Sequence, residues 1–420
     1  MHNEEGNLYI TSVHAMNLRK FKEINVEFNR GFNFLVGPNG SGKTSILRAI
    51  AMCLSHSSIE DSRIGDSSEL WTDFTCNNRN YRIGFGTGWA ETTSYRSTRF
   101  KNLNYPASQE NRQSFVFTTI KDVIPVFAPL FIGAYRKFSY QLIQGMSREE
   151  GPSQRREFYR DNAAASLNGT YLPNVKQWLI NRYFIIDKEW AEIEKVNWNW
   201  LLLNLKLLAP ADSDFSFIEI GRELEPKFSL YGKETYLEEL SSGFQSILSI
   251  VLSIFEWVES TNEREGQEVR KAKGTVIIDE LDVHLHPEWQ LTISKSLKTI
   301  FPELQFIVTT HSPHIIASAE SGEIITIPSE DTFNVKPKEQ SYSGWTTDQI
   351  LEDIMNVNSL ENKIYSQLIN QAYNFIKKED KNGLKETLLQ MENIIHPADT
   401  VAEVLKMKLA QLNLTEEEGN

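Results

Sequence analysis

Residues 31–54 read GFNFLVGPNGSGKTSILRAIAMCL, and the fold turns on how this stretch changes character twice. The apolar run FNFLV has the length and composition of a buried strand. After the glycine-rich loop, Ile46, Ile50, Ala51 and Leu54 recur at helical spacing, which gives the following segment one face to bury against a sheet. Between strand and helix stand Gly37, Pro38, Asn39, Gly40, Ser41, Gly42, Lys43 and Thr44. They spell GxxxxGK[ST] in the strand–loop–helix setting that this motif requires. The glycines let successive N–H groups turn inward around a phosphate, and the helix N-terminus adds a favourable dipole. Lys43 is placed to reach the outer phosphates and Thr44 to ligate Mg²⁺, with Ser45 closing the nucleotide-binding run.

Working outward, two more apolar strands end in chemistry. GTVIIDE (274–280) closes on two carboxylates, of which Asp279 would hold the Mg²⁺ and Glu280 would orient or deprotonate an attacking water. QFIVTTHSPH (305–314) ends its strand at His311, whose imidazole could sense the γ-phosphate and hold the water with Glu280. Both strands are apolar throughout and flank a helix, the pattern of a parallel sheet covered on both faces. Upstream, LEELSSGFQSILSIVLSIFEWV is a helix start followed by an apolar helix; Ser241, Ser242 and Gly243 put a hydroxyl and a free amide at its N-terminus, an anion site.

The rest of the 420 residues frames these motifs. Residues 8–28 read as β, and 70–120 alternate aromatic or β-branched with polar residues, predicting an antiparallel β subdomain. From Phe127 to Leu208 the pattern is irregularly helical, 216–236 returns to short strands, and the tail from Trp345 is helical and acidic. The expected organisation is 1–126 and 236–335 as the two parts of a head, 127–235 as a mixed helical insertion, and 336–420 as a helical C-terminal region. No window approaches the apolar run of about 18 residues that spans a membrane, and MHNEEGNLYI shows no leader pattern, so a cytoplasmic location is expected. Cys53 and Cys76, the two cysteines, supply neither a disulfide framework nor a metal site. Net charge is −13, against indiscriminate binding of phosphate backbones; yet residues 81–160 hold twelve Lys or Arg against six Asp or Glu, including Arg96, Arg99, Lys101, Arg136, Lys137, Arg155, Arg156 and Arg160. That segment is the candidate nucleic-acid face. Trp178, Trp190, Trp198 and Trp200 read as core aromatics of the insertion.

LSSGFQ (240–245), lying between the GxxxxGKT loop and the acidic strand, resembles the signature motif of ABC-type ATPases. The opening ITSVHAMNLRKFKEINVEFNRGFNFLVGPNGSGKTSILRAIA resembles the N-terminus shared by RecF, SMC and OLD-type ATPases, which implies a nucleotide contact for Arg19. ELDVHLHPEWQ resembles the OLD-like and stand-alone antiviral branch, and SGWTTDQILEDIMNV resembles the segment closing PtuA-type ATPases of Septu systems and retron-associated ATPases. Three positions depart from the wider ABC pattern: His286 stands where an aspartate is usual, and Ser242 and Phe244 differ from LSGGQ. The resemblance implies an α/β, ABC-ATPase-type P-loop fold, ATP and Mg²⁺ as cofactors, and a homodimer or higher oligomer whose sites use the signature in trans. It also implies a separately encoded HNH nuclease as partner, since no strand-bound E and DxD set follows His311 to make a nuclease of this chain. A RecF-like DNA clamp, an AriA-like sensor of PARIS systems and a non-catalytic ATP-bound scaffold are the alternatives.

Overall fold

The computed structural model describes residues 7–60, 64–94, 97–100, 104–171, 173–210, 212–356, 363–378, 380–392, 394 and 400–417. The chain forms two compact units, Met1–Asn356 and Val357–Asn420. At the centre of the first is a five-stranded parallel sheet in the order β15 (Ile324–Thr326), β3 (Phe32–Val36), β14 (Gln305–Thr309), β13 (Thr275–Ile278) and β9 (Leu130–Ile132). Because side chains alternate along a strand, each strand feeds two cores. Phe34, Val276, Ile278, Phe306 and Val308 pack on one face with the buried helix Ser242–Thr261 and the helix Pro287–Ile300. Leu35, Ile277, Ile307 and Ile325 pack on the other with Ile46 and Ile50 of the helix Lys43–Met52. A sheet sandwiched in this way explains why these strands are apolar at every position.

The second core is shared with a six-stranded, mostly antiparallel sheet: β16 (Thr332–Val335), β2 (Phe21–Glu27), β1 (Leu8–Leu18), β4 (Glu69–Cys76), β5 (Arg79–Phe85) and β8 (Arg112–Phe115). A small hairpin of β6 (Ala90–Ser94) and β7 (Ser97–Phe100) lies between β5 and β8 in sequence. This is the antiparallel subdomain the alternation predicted, extended by β16 from the far end of the unit. The insertion is helical over Pro152–Asp161, Ala163–Leu167, Val175–Ile185 and Glu192–Asn204, followed by the antiparallel sheet β10 (Ser216–Ile220), β11 (Pro226–Leu230) and β12 (Lys233–Tyr236). Trp178 and Trp198 are buried there, Trp200 donates to the Ile300 carbonyl, and Trp190 is exposed, so the core reading holds for three of the four. One element differs from expectation. The stretch from Phe127, read as helical, begins with β9, an edge of the central sheet; three residues closed by Pro129 and Gly133 carry too short a pattern to register as a strand.

The second unit consists of the helices Lys363–Lys377, Lys381–Glu392 and Thr400–Glu417 around Leu368, Ala372, Leu384, Leu388, Met391 and Leu405. The parallel sheet with helices on both faces, and the loop between β3 and the helix Lys43–Met52, realise the α/β P-loop architecture that the motif order implied.

Candidate nucleotide site

The loop after β3 is shaped by its glycines. Gly42 has φ 98°, and a Cβ there would come within 2.3 Å of Phe21 Cζ; Gly37, at φ 145°, would bring one within 2.3 Å of the Ile327 carbonyl oxygen. Both positions therefore exclude any side chain. Within the loop, the Lys43 ammonium donates to the carbonyls of Gly37 (2.8 Å) and Pro38 (3.1 Å), and the Ser41 hydroxyl is buried without a hydrogen-bond partner. A buried, unsatisfied hydroxyl costs stability unless a ligand meets it. Burial pushes the Lys43 ammonium down to about 8, against the pull of Asp279, Asp282 and Glu280. The loop thus holds a desolvated cation and an unused donor where an anion would satisfy both.

The acidic strand meets this loop directly. Thr44 Oγ1 donates to Asp279 Oδ1 at 3.1 Å, and the same carboxylate oxygen accepts from Thr309 Oγ1 at 2.6 Å. Thr309 Oγ1 in turn accepts from the Glu280 amide at 2.7 Å, so one hydroxyl from the neighbouring strand fixes both acids. The Thr44 hydroxyl and the Asp279 carboxylate make an all-oxygen donor pair at the mouth of the loop, the ligand type that suits Mg²⁺. Glu280 is half-buried with φ 51°, the left-handed region that non-glycine residues avoid. His311 follows β14 on the same edge; burial and then the Lys43 charge hold its imidazole below its ordinary range. Asp282 accepts from Thr310 Oγ1 (2.7 Å) and from the His311 amide (3.0 Å), tying the segment after Glu280 to the histidine. Arg19, at φ 54°, reaches Ser45 Oγ at 3.5 Å, and Lys20 donates to the Gly40 carbonyl at 2.9 Å, so the N-terminal β-hairpin delivers two cations to the loop. Burial, then Arg48, pushes the Arg19 guanidinium down from its ordinary value.

The signature residues stand apart. Ser241 is the N-cap of the helix Ser242–Thr261, and its side chain makes no capping hydrogen bond. Ser241, Ser242 and Gly243 open onto a cleft of about 530 Å³ lined also by Tyr231, His284, His286 and Trp289, and no residue of the Gly37–Ser45 loop lines it. Gly243 is required here, because a Cβ would lie 2.5 Å from Trp289 Cζ3. Gln245 fixes the approach to the helix by donating to the carbonyls of Glu238 and Leu240 and accepting from the Phe138 amide.

Residues 32–317 match the family described as "AAA domain, putative AbiEii toxin, Type IV TA system". The chain belongs to that family. It is 27% identical to the Septu protein PtuA of Bacillus thuringiensis over 397 residues, covering 92% of this chain and 94% of that one. A second Septu protein PtuA, of Bacillus mycoides (strain KBAB4), is 25% identical over 406 residues; the match covers 92% of this chain but 51% of that relative, so the chain spans about half of its length. The Retron Ec83 probable ATPase of Escherichia coli is 32% identical over 160 residues, 36% of this chain and 28% of that one.

Two features of this family member correct the sequence reading or go beyond it. Among the described residues of the basic segment 81–160, six arginines are turned to partners or buried instead of contributing to an open face. Arg82 and Arg112 bind Asp73, Arg155 binds Glu256, Arg156 binds Glu263 and the Thr261 carbonyl, Arg160 donates to the carbonyls of Pro125 and Phe127, and Arg136 is buried. The carboxylate partners lie outside the segment, which is why its charge looked unbalanced along the chain. Arg96 and Lys101 lie outside the described residues; Arg99, Lys121, Lys137 and Arg148 are exposed. Thr309, Asp282 and Lys20 are site residues that the sequence reading does not single out, although the paired threonines before His311 and the third acid of DELD are visible signals.

Proposed function

We propose that this protein binds ATP with Mg²⁺ and hydrolyses it at sites completed by a second copy of the chain, and that its nucleotide state governs a separately encoded nuclease of the HNH type in antiviral defence. The observation that carries the first half is the hydrogen bond from Thr44 to Asp279, which joins the phosphate loop to the acidic strand across 235 residues of sequence. The second half is supported by similarity to a Septu PtuA over nearly the full length of both chains.

In this reading the Gly37–Ser45 amides and Lys43 bind the phosphates, and Arg19 and Lys20 add charge at the open side. Thr44 and Asp279 would hold the Mg²⁺, which when bound neutralises phosphate charge. Glu280 accepts the proton of the attacking water, and His311, neutral near pH 7, positions that water by hydrogen bonding. Ser241 and the Gly243 amide supply the remaining anion contact to the nucleotide of the partner copy, because their cleft is separate from the loop of their own chain. Nucleotide can control a nuclease only if that partner binds one nucleotide state better than another.

The test is to co-express the chain with its adjacent open reading frame and to measure complex formation and DNA or RNA cleavage with ATP, ADP and no nucleotide. The expected result is cleavage that needs the second protein and changes with nucleotide. Cleavage by this chain alone would overturn the proposal, and a partner bound equally in every state would reduce the ATPase to a scaffold.

A further inference from the structure

Arg136 takes no part in the reaction proposed above, yet it is one of the largest fully buried side chains of the protein, 2% exposed. All three of its nitrogens are used, and they reach three separate segments. Nε donates to the Gly133 carbonyl at 2.8 Å and Nη1 to Ser246 Oγ at 3.2 Å; Nη2 donates to the carbonyls of Asp279 and Glu280, the latter at 2.8 Å. The four acceptors are three carbonyl oxygens and one hydroxyl. A buried guanidinium held by neutral groups is costly, and burial pushes Arg136 down to about 10 despite the pull of Asp279, Asp282 and Glu280. A packing role would be served as well by an uncharged side chain.

What an uncharged side chain could not do is span this set of acceptors. Two of them flank the point where the backbone enters the left-handed region at Glu280, φ 51°. That conformation is unfavourable for a non-glycine residue and persists only where surrounding contacts enforce it. The hydroxyl belongs to Ser246, in the second turn of the helix that begins at Ser242, and it also donates to the Val283 carbonyl at 3.4 Å. Ser246 is fully buried, so this contact sits between the signature helix and the segment after the acids.

We propose that Arg136 is a positioning residue that locks the Glu280 backbone and links it to the signature helix, so that an anion captured at Ser241 and Gly243 reaches the general base through Ser246 and Arg136. The inference rests on the assignment of Glu280 as the base and of the signature as an anion site. The guanidinium is suited to the task because its planar fork holds three directions at once, whereas a lysine ammonium offers a single point on a flexible stem.

The experiment compares R136K, S246A, E280Q and the double variants R136K/E280Q and R136K/S246A in steady-state and single-turnover ATP hydrolysis, with thermal melting to check folding. R136K should lower kcat about tenfold or more while KM for ATP stays within about threefold, since a misplaced base costs the chemical step and not binding. S246A, a smaller change that covers the case in which R136K does not fold, should lower kcat about threefold by the same route. R136K/E280Q should be no slower than E280Q, because both changes remove the contribution of one carboxylate. Wild-type kcat in R136K and S246A, or effects of R136K and E280Q that multiply, would overturn the proposal. An E280Q protein with wild-type turnover would overturn the assignment of the base instead; non-additivity of R136K and S246A would still establish the link to the signature helix, and its absence would refute it.

Discussion

Lys43 offers a test that needs no turnover. Its ammonium is pushed down to about 8 in the free protein, from 10.5, because the loop desolvates it. A bound triphosphate brings negative charge against it and restores a high proton affinity, so binding must take up a proton wherever the free protein has lost one. At pH 8.5 about three-quarters of the free sites are neutral and uptake is about 0.7 proton per ATP; at pH 7 it falls to about 0.1. The same linkage weakens ATP binding about tenfold between pH 7 and pH 9, or about 1.4 kcal/mol. In the free protein the His311 imidazole is held below its ordinary range, first by burial and then by the Lys43 charge, so Lys43 dominates proton uptake at the upper end of this window. Stability moves the other way: the unfolded chain holds the lysine proton more tightly, so the Lys43 contribution to stability rises between about pH 8 and 10.5. The assay is titration calorimetry at pH 8.5 in two buffers of different ionisation enthalpy, on the wild type and on K43R, which keeps its charge and should show no uptake. Zero uptake by the wild type, or undiminished uptake by K43R, would refute the placement of a desolvated Lys43 against the phosphates.

Glu280→Gln should keep ATP binding and lower turnover about two orders of magnitude, read as phosphate release, because the water loses its base. Mixing a Ser241→Arg subunit with a Lys43→Ala subunit should restore one working site per mixed dimer while each variant alone stays inactive; no recovery under demonstrated subunit exchange would sink the two-chain site. Thr309→Val preserves shape but removes the hydroxyl that meets both Asp279 and the Glu280 amide. It should cost about 2–4 kcal/mol of stability in denaturant melts and lower kcat with it. Gly42→Ala should destabilise by about 2 kcal/mol or more and abolish ATP binding, whereas Gly40→Ala, with nothing within 4 Å of the added Cβ, should carry only the milder cost of its φ of 76°. Equal melting temperatures for those two variants would contradict the contact with Phe21.

What the sequence disclosed is what local spacing encodes. The strand–loop–helix of 31–54, the apolar strands ending at Asp279 and His311, and the helix after Ser241 were each readable because period, length and terminal residues agree within one segment. The meeting of Thr44 with Asp279 was implied by the motif pair and is realised at 3.1 Å. β9 escaped because a three-residue strand has no period, and its place at the edge of the sheet is decided by pairing with β13, which is remote in sequence.

Charge was the less legible property, and the reason is physical. A run of cations along the chain describes a surface only if its counterions are absent from the interior, and in this protein they are not. Arg82 and Arg112 share Asp73 of β4, Arg155 reaches Glu256 on the signature helix, and Arg182 reaches Glu259 one turn further along that helix. Glu256 and Glu259 sit in a mostly apolar helix, yet both are buried, and each is paired with an arginine of the insertion. The insertion is thereby fastened by ion pairs to the helix that carries the signature, and breaking one partner of such a buried pair costs far more than removing a surface charge. A change in Glu259 should therefore loosen the insertion and the signature helix together, while exposed Lys137 or Arg148 could be changed with little effect on either.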